Sequence, residues 1–328
     1  MPELTITDGF LWRHDSASPL VLIIKDIDGR TGYGQAAPLV GRTSTTLEAC
    51  RQALLALLNR LPAWAEPSLA AGGSMPAEAS MAWETAVADL QAQARGMSLG
   101  RYLDEAASDA IEANGLVDRT TDPLDVVAEG YQCIKVKVGH QPSEELRRIA
   151  MVRNALGSDG TIRLDANQTF SPSEALSFMQ RASQFDISYI EEPTPDVTTW
   201  RGLFETTGMK IAADESIASR TAAEEFLAGR QADILVLKPA LWSSPRSVLD
   251  TVRDAKSEGY GVTITSALDG VLGTLLAGHI AAIAGPNPAG LGWGDVRADE
   301  LEWTSVAPGP RFELPIGLGV TRDLQLQY

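Results

Sequence analysis

The hydrophobic pattern changes period along the chain, and the changes divide it. Up to about residue 38, short apolar runs are broken by turn signals. Val21 to Ile27 runs into Asp28-Gly29, a two-residue hairpin signal, and the next run continues through Tyr33 toward Pro38, which predicts a β-meander. Thr46 to Leu58 and Ala77 to Arg95 then place apolar residues three and four apart in Ala- and Leu-rich sequence, predicting two helices. A Pro-, Gly- and Ser-containing linker, Pro62 to Pro76, separates them. Strands first and helices after predict an α+β module of about 100 residues.

From about residue 110 the texture alternates. Short β-branched runs occur at Ile111 to Val117, Cys133 to Val138, Thr161 to Asp165, Ile187 to Glu191, Lys210 to Asp214, Ile234 to Lys238, Gly261 to Thr265 and Leu291 to Trp293, with amphipathic helical stretches between them. Eight strands joined through helices predict a parallel sheet, and right-handed crossovers repeated this often close most naturally into a barrel. An open, doubly wound sheet is the alternative, although no glycine-rich phosphate fingerprint follows any strand. Val271 to Gly285 is the most apolar long stretch; it contains His279 and is shorter than a membrane span, so it predicts a buried helix.

Composition narrows the class. The chain has 328 residues, of which 44 % are hydrophobic and 21 % charged, as in soluble enzymes. Its formal charge of −16 argues against nucleic acid and anionic membranes as partners. Two cysteines, Cys50 and Cys133, provide neither a disulfide framework nor a thiolate zinc site, which suits a cytoplasmic protein, and MPELTITDGF does not read as a secretory signal.

The chemistry is written at the strand ends. Lys137, Asp165, Glu191, Asp214 and Lys238 each close an apolar run, about one βα unit apart, so they are expected to ring the C-terminal mouth where barrel active sites lie. A solvated face would not return with that period on apolar strands. Asp165, Glu191 and Asp214 come from adjacent strands, and three converging carboxylates without Cys or a His cluster select a hard cation, Mg²⁺ before Zn²⁺, with Mn²⁺ as a substitute. Such an ion is most useful where an enolate forms on a small-molecule carboxylate substrate. Lys135 and Lys137 lie two apart on one strand and share a face, and their mutual repulsion is expected to lower an ammonium pKa enough to yield a base. Lys238 is expected from the opposite wall. Alternation aims Arg163 and Asn167 the same way as Asp165, with Arg163 deeper and Asn167 at the rim, both as substrate-binding candidates with a structural role as the alternative for either. Glu192 and Glu215 are expected to face away and support the metal carboxylates from behind.

With these residues in place the sequence resembles the enolase superfamily, in its muconate-lactonizing subgroup. The matching motifs are Lys135 to Gly139 (KVKVG), Arg163 to Asn167 (RLDAN), Ile190 to Pro193 (IEEP), Ala213 to Ser216 (ADES) and Leu237 to Pro239 (LKP), in order and at the right spacing. The resemblance implies an α/β protein with a modified (β/α)8, TIM-like barrel over 106–295. An N-terminal α+β capping domain over 1–105 would precede it, and a C-terminal segment, 296–328, would pack back on the cap. Within the subgroup the o-succinylbenzoate synthase family is most similar. That resemblance implies a Mg²⁺-dependent syn-dehydration in which Lys137 removes the α-proton, Lys238 places a cation beside the ring and Lys135 tunes Lys137. Ser266 would meet the substrate tail, and the loop His14 to Pro19 would close as a lid.

The chain departs from the family pattern at Gly32-Tyr33-Gly34-Gln35, where members often carry Gly-Trp-Gly-Glu, and at Asp269, which has no assigned role. The same lysine pair serves N-acylamino-acid racemases, and muconate cycloisomerases share the residue set. The eighth run offers only Gly292-Trp293-Gly294-Asp295 rather than Asp-X-Asp, which argues against a dipeptide epimerase. A non-catalytic metal-binding barrel would have no use for both lysines and three acids.

Overall fold

The structure is a computed structural model that describes residues 4–15, 18–39, 41–64, 75–217, 219–267 and 269–321, apart from the side chains of Ala63, Trp64 and Asp295. Strands β1 (Thr5–Trp12), β2 (Leu20–Asp26) and β3 (Thr31–Ala36) form an antiparallel meander, and after helix α1 (Leu47–Leu58) the short β4 (Ala63–Trp64) joins the free side of β1. The Asp28-Gly29 signal makes the β2–β3 turn, with Gly29 at φ +83° donating its N–H to Asp26. Helices α2 (Ala77–Ala94) and α3 (Leu99–Leu103) follow.

Strand β2 reads as an unbroken apolar run because both its faces are covered. Leu20, Leu22 and Ile24 pack with Cys50, Leu54 and Trp83 in a core local to this module. Val21 and Ile23 point the other way and join Tyr33 in the larger core shared with the rest of the molecule. Gly32 and Gly34 let β3 lie directly on α2: a Cβ at Gly34 would stand 1.8 Å from the Ala82 carbonyl oxygen, and one at Gly32 2.3 Å from that of Ala86.

The remaining elements alternate: β5 (Ala110–Glu112), β6 (Gly115–Val117), α4 (Pro123–Ala128), β7 (Cys133–Lys137), α5 (Pro142–Leu156), β8 (Thr161–Asp165), α6 (Pro172–Ala182), β9 (Ile187–Glu191), α7 (Trp200–Thr207), β10 (Ile211–Ala213), α8 (Arg220–Gly229), β11 (Ile234–Leu237), α9 (Pro245–Ser257), β12 (Gly261–Ile264), α10 (Gly270–Ala284) and β13 (Arg311–Glu313). Helix starts follow the local sequence. Asp122 caps α4 ahead of Pro123, and Ser171 forms a reciprocal capping box with Glu174 on α6. Strands β6 to β12 form one parallel sheet of seven, ordered as they occur in the chain. A doubly wound sheet reverses its order at a switch point; this one does not, and the arrangement is that of a TIM-like fold.

Two of the expected strands differ. The run from Ile111 to Val117 is split, with β5 pairing antiparallel to β13 and β6 entering the parallel sheet. The run Leu291 to Trp293 is not a strand; instead Ala289 bridges Ala113, and Gly290 bridges Thr265 beyond β12. Pro286 and Pro288 lack N–H donors and shorten this segment. The close passage of Gly290 past Thr265, whose hydroxyl donates to the Gly290 carbonyl at 2.6 Å, leaves no room for a side chain.

Helix α10 is buried almost throughout, and His279 within it is fully buried. Among the described residues no helix is long and apolar enough to cross a membrane. The chain after β13 runs back along α2 and α3. Gly317 exchanges backbone hydrogen bonds with Met97 and Leu99, and Leu318 N–H donates to Asp89.

Candidate active site

The strand register converts sequence spacing into a ring. Lys137 is the Cα partner of Asp165, and Asp165 that of Glu191, so these residues stand at one height at the C-terminal ends of β7, β8 and β9. One layer down, Lys135 pairs with Arg163 and Arg163 with Tyr189. Asp214 follows the end of β10 and Lys238 the end of β11, so the lysines of β7 and β11 are separated by the three carboxylate-bearing strands. The mouth encloses a cavity of about 390 Å³, lined by Lys135, Lys137, Asp165, Asp214 and Lys238 among others, large enough for a small-molecule substrate.

Acids and amines interleave. Lys137 Nζ donates to Asp165 Oδ2 at 2.6 Å and to Asn167 Oδ1 at 2.8 Å. Lys135 Nζ lies 3.2 Å from both Asp165 Oδ2 and Glu191 Oε2, and Lys238 Nζ contacts Asp214 Oδ1. Burial would raise Asp165, but Lys135 and Lys137 overcome it and hold this carboxyl well below its usual range. Glu191 is equally buried and shares only Lys135; burial, with Asp165 and Asp214 repelling it, pushes it up. Burial disfavours the Lys135 ammonium, yet Glu191, Asp165 and Asp214 outweigh that and keep its pKa well above the ordinary value. The expected lowering through lysine–lysine repulsion is therefore reversed at Lys135, because the acids stand closer to it than a second cation can offset.

Glu192 faces away from the mouth, as anticipated, and organises the next turn. Its Oε1 accepts Asp214 N–H and Ser216 N–H at 2.8 Å each, and its Oε2 accepts Ser216 Oγ and Gln168 Nε2. This anchoring turns Asp214 and Glu215 together toward the cavity. Glu215 was expected to face away; the strand has ended at Ala213, alternation no longer applies, and Glu215 lines the mouth. Asn167, at φ +44°, curls over the end of β8 and donates its N–H to Asp165 Oδ1 at 3.1 Å.

Ser266 also lines the cavity, with its hydroxyl oxygen accepting Gly292 N–H at 2.7 Å. Arg163 is not at the surface of the cavity. It is 2 % exposed and spans the barrel floor, donating to Asn114 Oδ1 and the Pro288 carbonyl and stacking 5.2 Å from the Tyr189 ring.

The two places where the sequence departs from the family pattern meet. Gln35 Nε2 donates to the backbone carbonyl of Asp269. The Asp269 carboxylate accepts Ala267 N–H and is buried, which pushes its pKa up to about 6.

The N-terminal module contributes residues that sequence reasoning missed. Leu39 and Arg42 line the cavity from the turn after β3, where Arg42 N–H and Thr43 N–H both donate to the Leu39 carbonyl. The available signal was Gly41, at φ +81°, beside a single arginine in a short loop. In the loop His14 to Pro19, Ser16 and Ala17 lie outside the described residues. His14 and Asp15 are bound to Arg297, and none of the described loop residues lines the cavity.

The donor set suits a hard divalent ion: three carboxylates, oxygen only, with Glu191 pushed up because burial and its acidic neighbours outweigh the one cation beside it. As arranged, ammonium groups hold those oxygens, and among the described residues no three acid, His or Cys side chains gather around a common point. The residues fit such an ion in chemistry and strand placement, with the lysines now standing where cationic charge is required.

Comparison with known proteins agrees with this geometry. Residues 121–321 match the family model described as enolase C-terminal domain-like. The chain belongs to the enolase superfamily. It is 32 % identical over 261 residues to the o-succinylbenzoate synthase of Enterobacter sp. (strain 638), covering 78 % of this chain and 76 % of that protein. It is 28 % identical over 291 residues to the L-Ala-D/L-Glu epimerase of Bacillus subtilis (strain 168), covering 81 % and 78 %. The fold is shared with a dipeptide epimerase from Enterococcus faecalis V583, solved in complex with Mg and the dipeptide L-Leu-L-Tyr, at a TM-score of 0.79, 20 % identity and coverage of 97 % and 100 %.

Proposed function

We propose that this protein is a Mg²⁺-dependent o-succinylbenzoate synthase, a carbon–oxygen lyase of menaquinone biosynthesis acting in the cytoplasm. The carrying observation is that Lys137, Asp165, Asp214 and Lys238 line one cavity, with Glu191 beside Asp165 at the same height on the next strand. In this reading residues 1–105 form the capping domain, 296–328 pack back on it, and Ala289-Gly290 serve as the eighth strand that closes the barrel. Asp165, Glu191 and Asp214 would hold Mg²⁺, or Mn²⁺ in its place, which supplies Lewis-acid stabilisation of charge developing on the substrate carboxylate.

Lys137 takes the proton alpha to the carboxylate of 2-succinyl-6-hydroxy-2,4-cyclohexadiene-1-carboxylate. The same ammonium then returns that proton to the departing hydroxyl on the same face, so that water leaves and the ring becomes aromatic. Lys238, from the far wall, places positive charge beside the ring as electron density moves through it. Lys135 holds Asp165 and Glu191 in place, and Ser266 and Asn167 border the substrate. Arg163 supports the floor instead of touching substrate.

A second reading is an epimerase or N-acylamino-acid racemase. It is favoured by lysines on both sides of the cavity and by the relative from Bacillus subtilis. Incubation with the cyclohexadiene carboxylate and Mg²⁺, followed by absorbance, with N-succinylamino acids and dipeptides in parallel, separates the two. Aromatisation supports the synthase; racemisation without it sinks that reading. Chelation is expected to abolish turnover while leaving the circular-dichroism spectrum of the fold intact.

A further inference from the structure

We propose that Arg42, Glu215 and Asn167 form a positioning set through which the N-terminal module aims the exchangeable proton of Lys137 into the cavity. The inference rests on the reading of Lys137 as the proton-transfer group and adds residues to it. A continuous chain of hydrogen bonds carries it. Arg42 Nη2 donates to Glu215 Oε1 at 2.6 Å, Asn167 Nδ2 donates to the same Oε1 at 3.0 Å, and Lys137 Nζ donates to Asn167 Oδ1 at 2.8 Å.

The polarity of this chain is fixed by its ends. Asn167 has one acceptor and one donor face, and only one orientation of the amide satisfies both an ammonium and a carboxylate. Glu215 therefore decides that the oxygen, and not the NH2 group, faces Lys137. The Glu215 side chain sits at the rim of the cavity on a turn beyond β10 and is 18 % exposed; the cation drawn onto it comes from the other module, as Arg42.

The consequence is geometric. An amine can direct three bonds away from its carbon, and at Lys137 two are committed, to Asp165 Oδ2 and Asn167 Oδ1. The third is the direction left for substrate. As an ammonium, Lys137 presents its remaining proton there; as a neutral amine keeping the same two donations, it presents its lone pair. Without Asn167 the Nζ group is free to rotate, and the third direction is no longer fixed.

Arg42 stands on the turn after β3, with Gly41 beside it at φ +81°; its Nη2 is held by Glu215, while its Nη1, 3.8 Å from Asp214 Oδ1, has no hydrogen-bond partner among the described residues. A guanidinium on that turn completes the set only when the module is seated on the barrel mouth. Seating of the N-terminal module and alignment of Lys137 are thus one event.

A crystal structure of the full chain carrying Arg42→Ala tests the linkage without substrate. Glu215 is expected to leave Asn167, and Asn167 Oδ1 to move out of hydrogen-bond reach of Lys137 Nζ. An unchanged arrangement of Lys137, Asn167 and Glu215 overturns the proposal whatever reaction the protein catalyses. A kinetic cycle then follows on whichever substrate loses its α-proton, read by turnover and by solvent deuterium uptake. Arg42→Ala and Asn167→Ala are each expected to lower kcat about tenfold with KM changed less than about twofold, and the double variant to lose no more than either alone. A double loss of about a hundredfold, or an effect confined to KM, overturns it. If the protein aromatises nothing but exchanges the α-proton of an amino-acid derivative, the synthase reading fails and the cycle still decides this one.

Discussion

Two of the places where the molecule buries ionisable groups treat them oppositely. Around the mouth four carboxylates each have a cation beside them: Asp165 has Lys135 and Lys137, Glu191 has Lys135, Asp214 has Lys238 and Glu215 has Arg42. Where α2, α3 and the chain after β13 meet, Asp89 accepts, among the described residues, only neutral donors, the N–H groups of Tyr33 and Leu318 and the Gln93 amide. His279 lies nearby, accepting Gly100 N–H on Nδ1 and so presenting Nε2–H to the Leu318 carbonyl. Burial pushes Asp89 up to about 6 and His279 down to about 4. Where two cations outweigh burial, as at Asp165, the charge is kept, whereas Glu191 with Lys135 alone is pushed up despite its partner, and groups held only by dipoles drift toward neutrality and fix the path of the chain.

The largest break in this comparison is at the mouth. Lys137→Ala is expected to lower kcat by about a thousandfold or more, the scale of general acid–base catalysis, with little change in thermal stability, because Lys135 still accompanies Asp165. Single-turnover measurements check this, and a loss below about tenfold would remove Lys137 from the proton step. The seam between β3 and α2 responds in the opposite currency. Gly34→Ala forces a methyl group into the Ala82 carbonyl and is expected to cost about 3 kcal/mol of stability, read from urea unfolding, with kcat of the folded fraction preserved. A cost under about 1 kcal/mol would mean that β3 can lift off α2.

The same contrast explains what the sequence made legible. The mouth could be read because β-strands repeat every two residues and βα units at regular intervals, so the spacing of Lys137, Asp165 and Glu191 already implies a shared height. The reading failed wherever a side chain's direction is set off the strand. Glu215 turns inward because Glu192 anchors a turn from outside the barrel, and Arg42 arrives from another module. Leu291 to Trp293 looked like the eighth strand because apolar character was visible, whereas the bridging residues Ala289 and Gly290 follow a proline-rich stretch with no such pattern. At the junction the apolar run around His279 announced a buried helix, but nothing marked Asp89: a lone acid in an Ala-rich helix reads as solvated, and its backbone partners are far away in the chain.

The junction can be broken by pH. The Asp89 carboxyl, ordinarily 3.8, is raised to about 6 in the fold, so between those values the folded chain holds a proton the unfolded one has lost. This group makes stability fall as pH rises through that window. His279 falls from 6.5 to about 4, so there the unfolded chain binds the extra proton, and its contribution is lost as pH drops. The two slopes oppose each other on either side of Leu318. Asp89→Asn removes one of them. Relative to the parent, the variant should gain roughly 2 kcal/mol between pH 4 and pH 6.5, whatever constant penalty the amide imposes. Melting temperatures of both proteins across that range test it, and parallel curves would show that Asp89 does not titrate within the fold.

The smallest expected effect lies on the seam between the two regions, at Gln35. Its amide nitrogen donates to the Asp269 backbone carbonyl, at a position where members of the superfamily often carry glutamate. Gln35→Glu replaces the only donor in that contact with an acceptor. Two oxygens then face each other beside the buried Asp269 carboxyl, which has no ion-pair partner of its own among the described residues. A cost of about 1 to 2 kcal/mol follows from the unmatched carbonyl, and it should shrink in acid as the new carboxyl takes up a proton and becomes a donor again. If the loss were instead unchanged in acid, the seam would be set by shape alone, and the neutral donor that distinguishes this chain would be incidental.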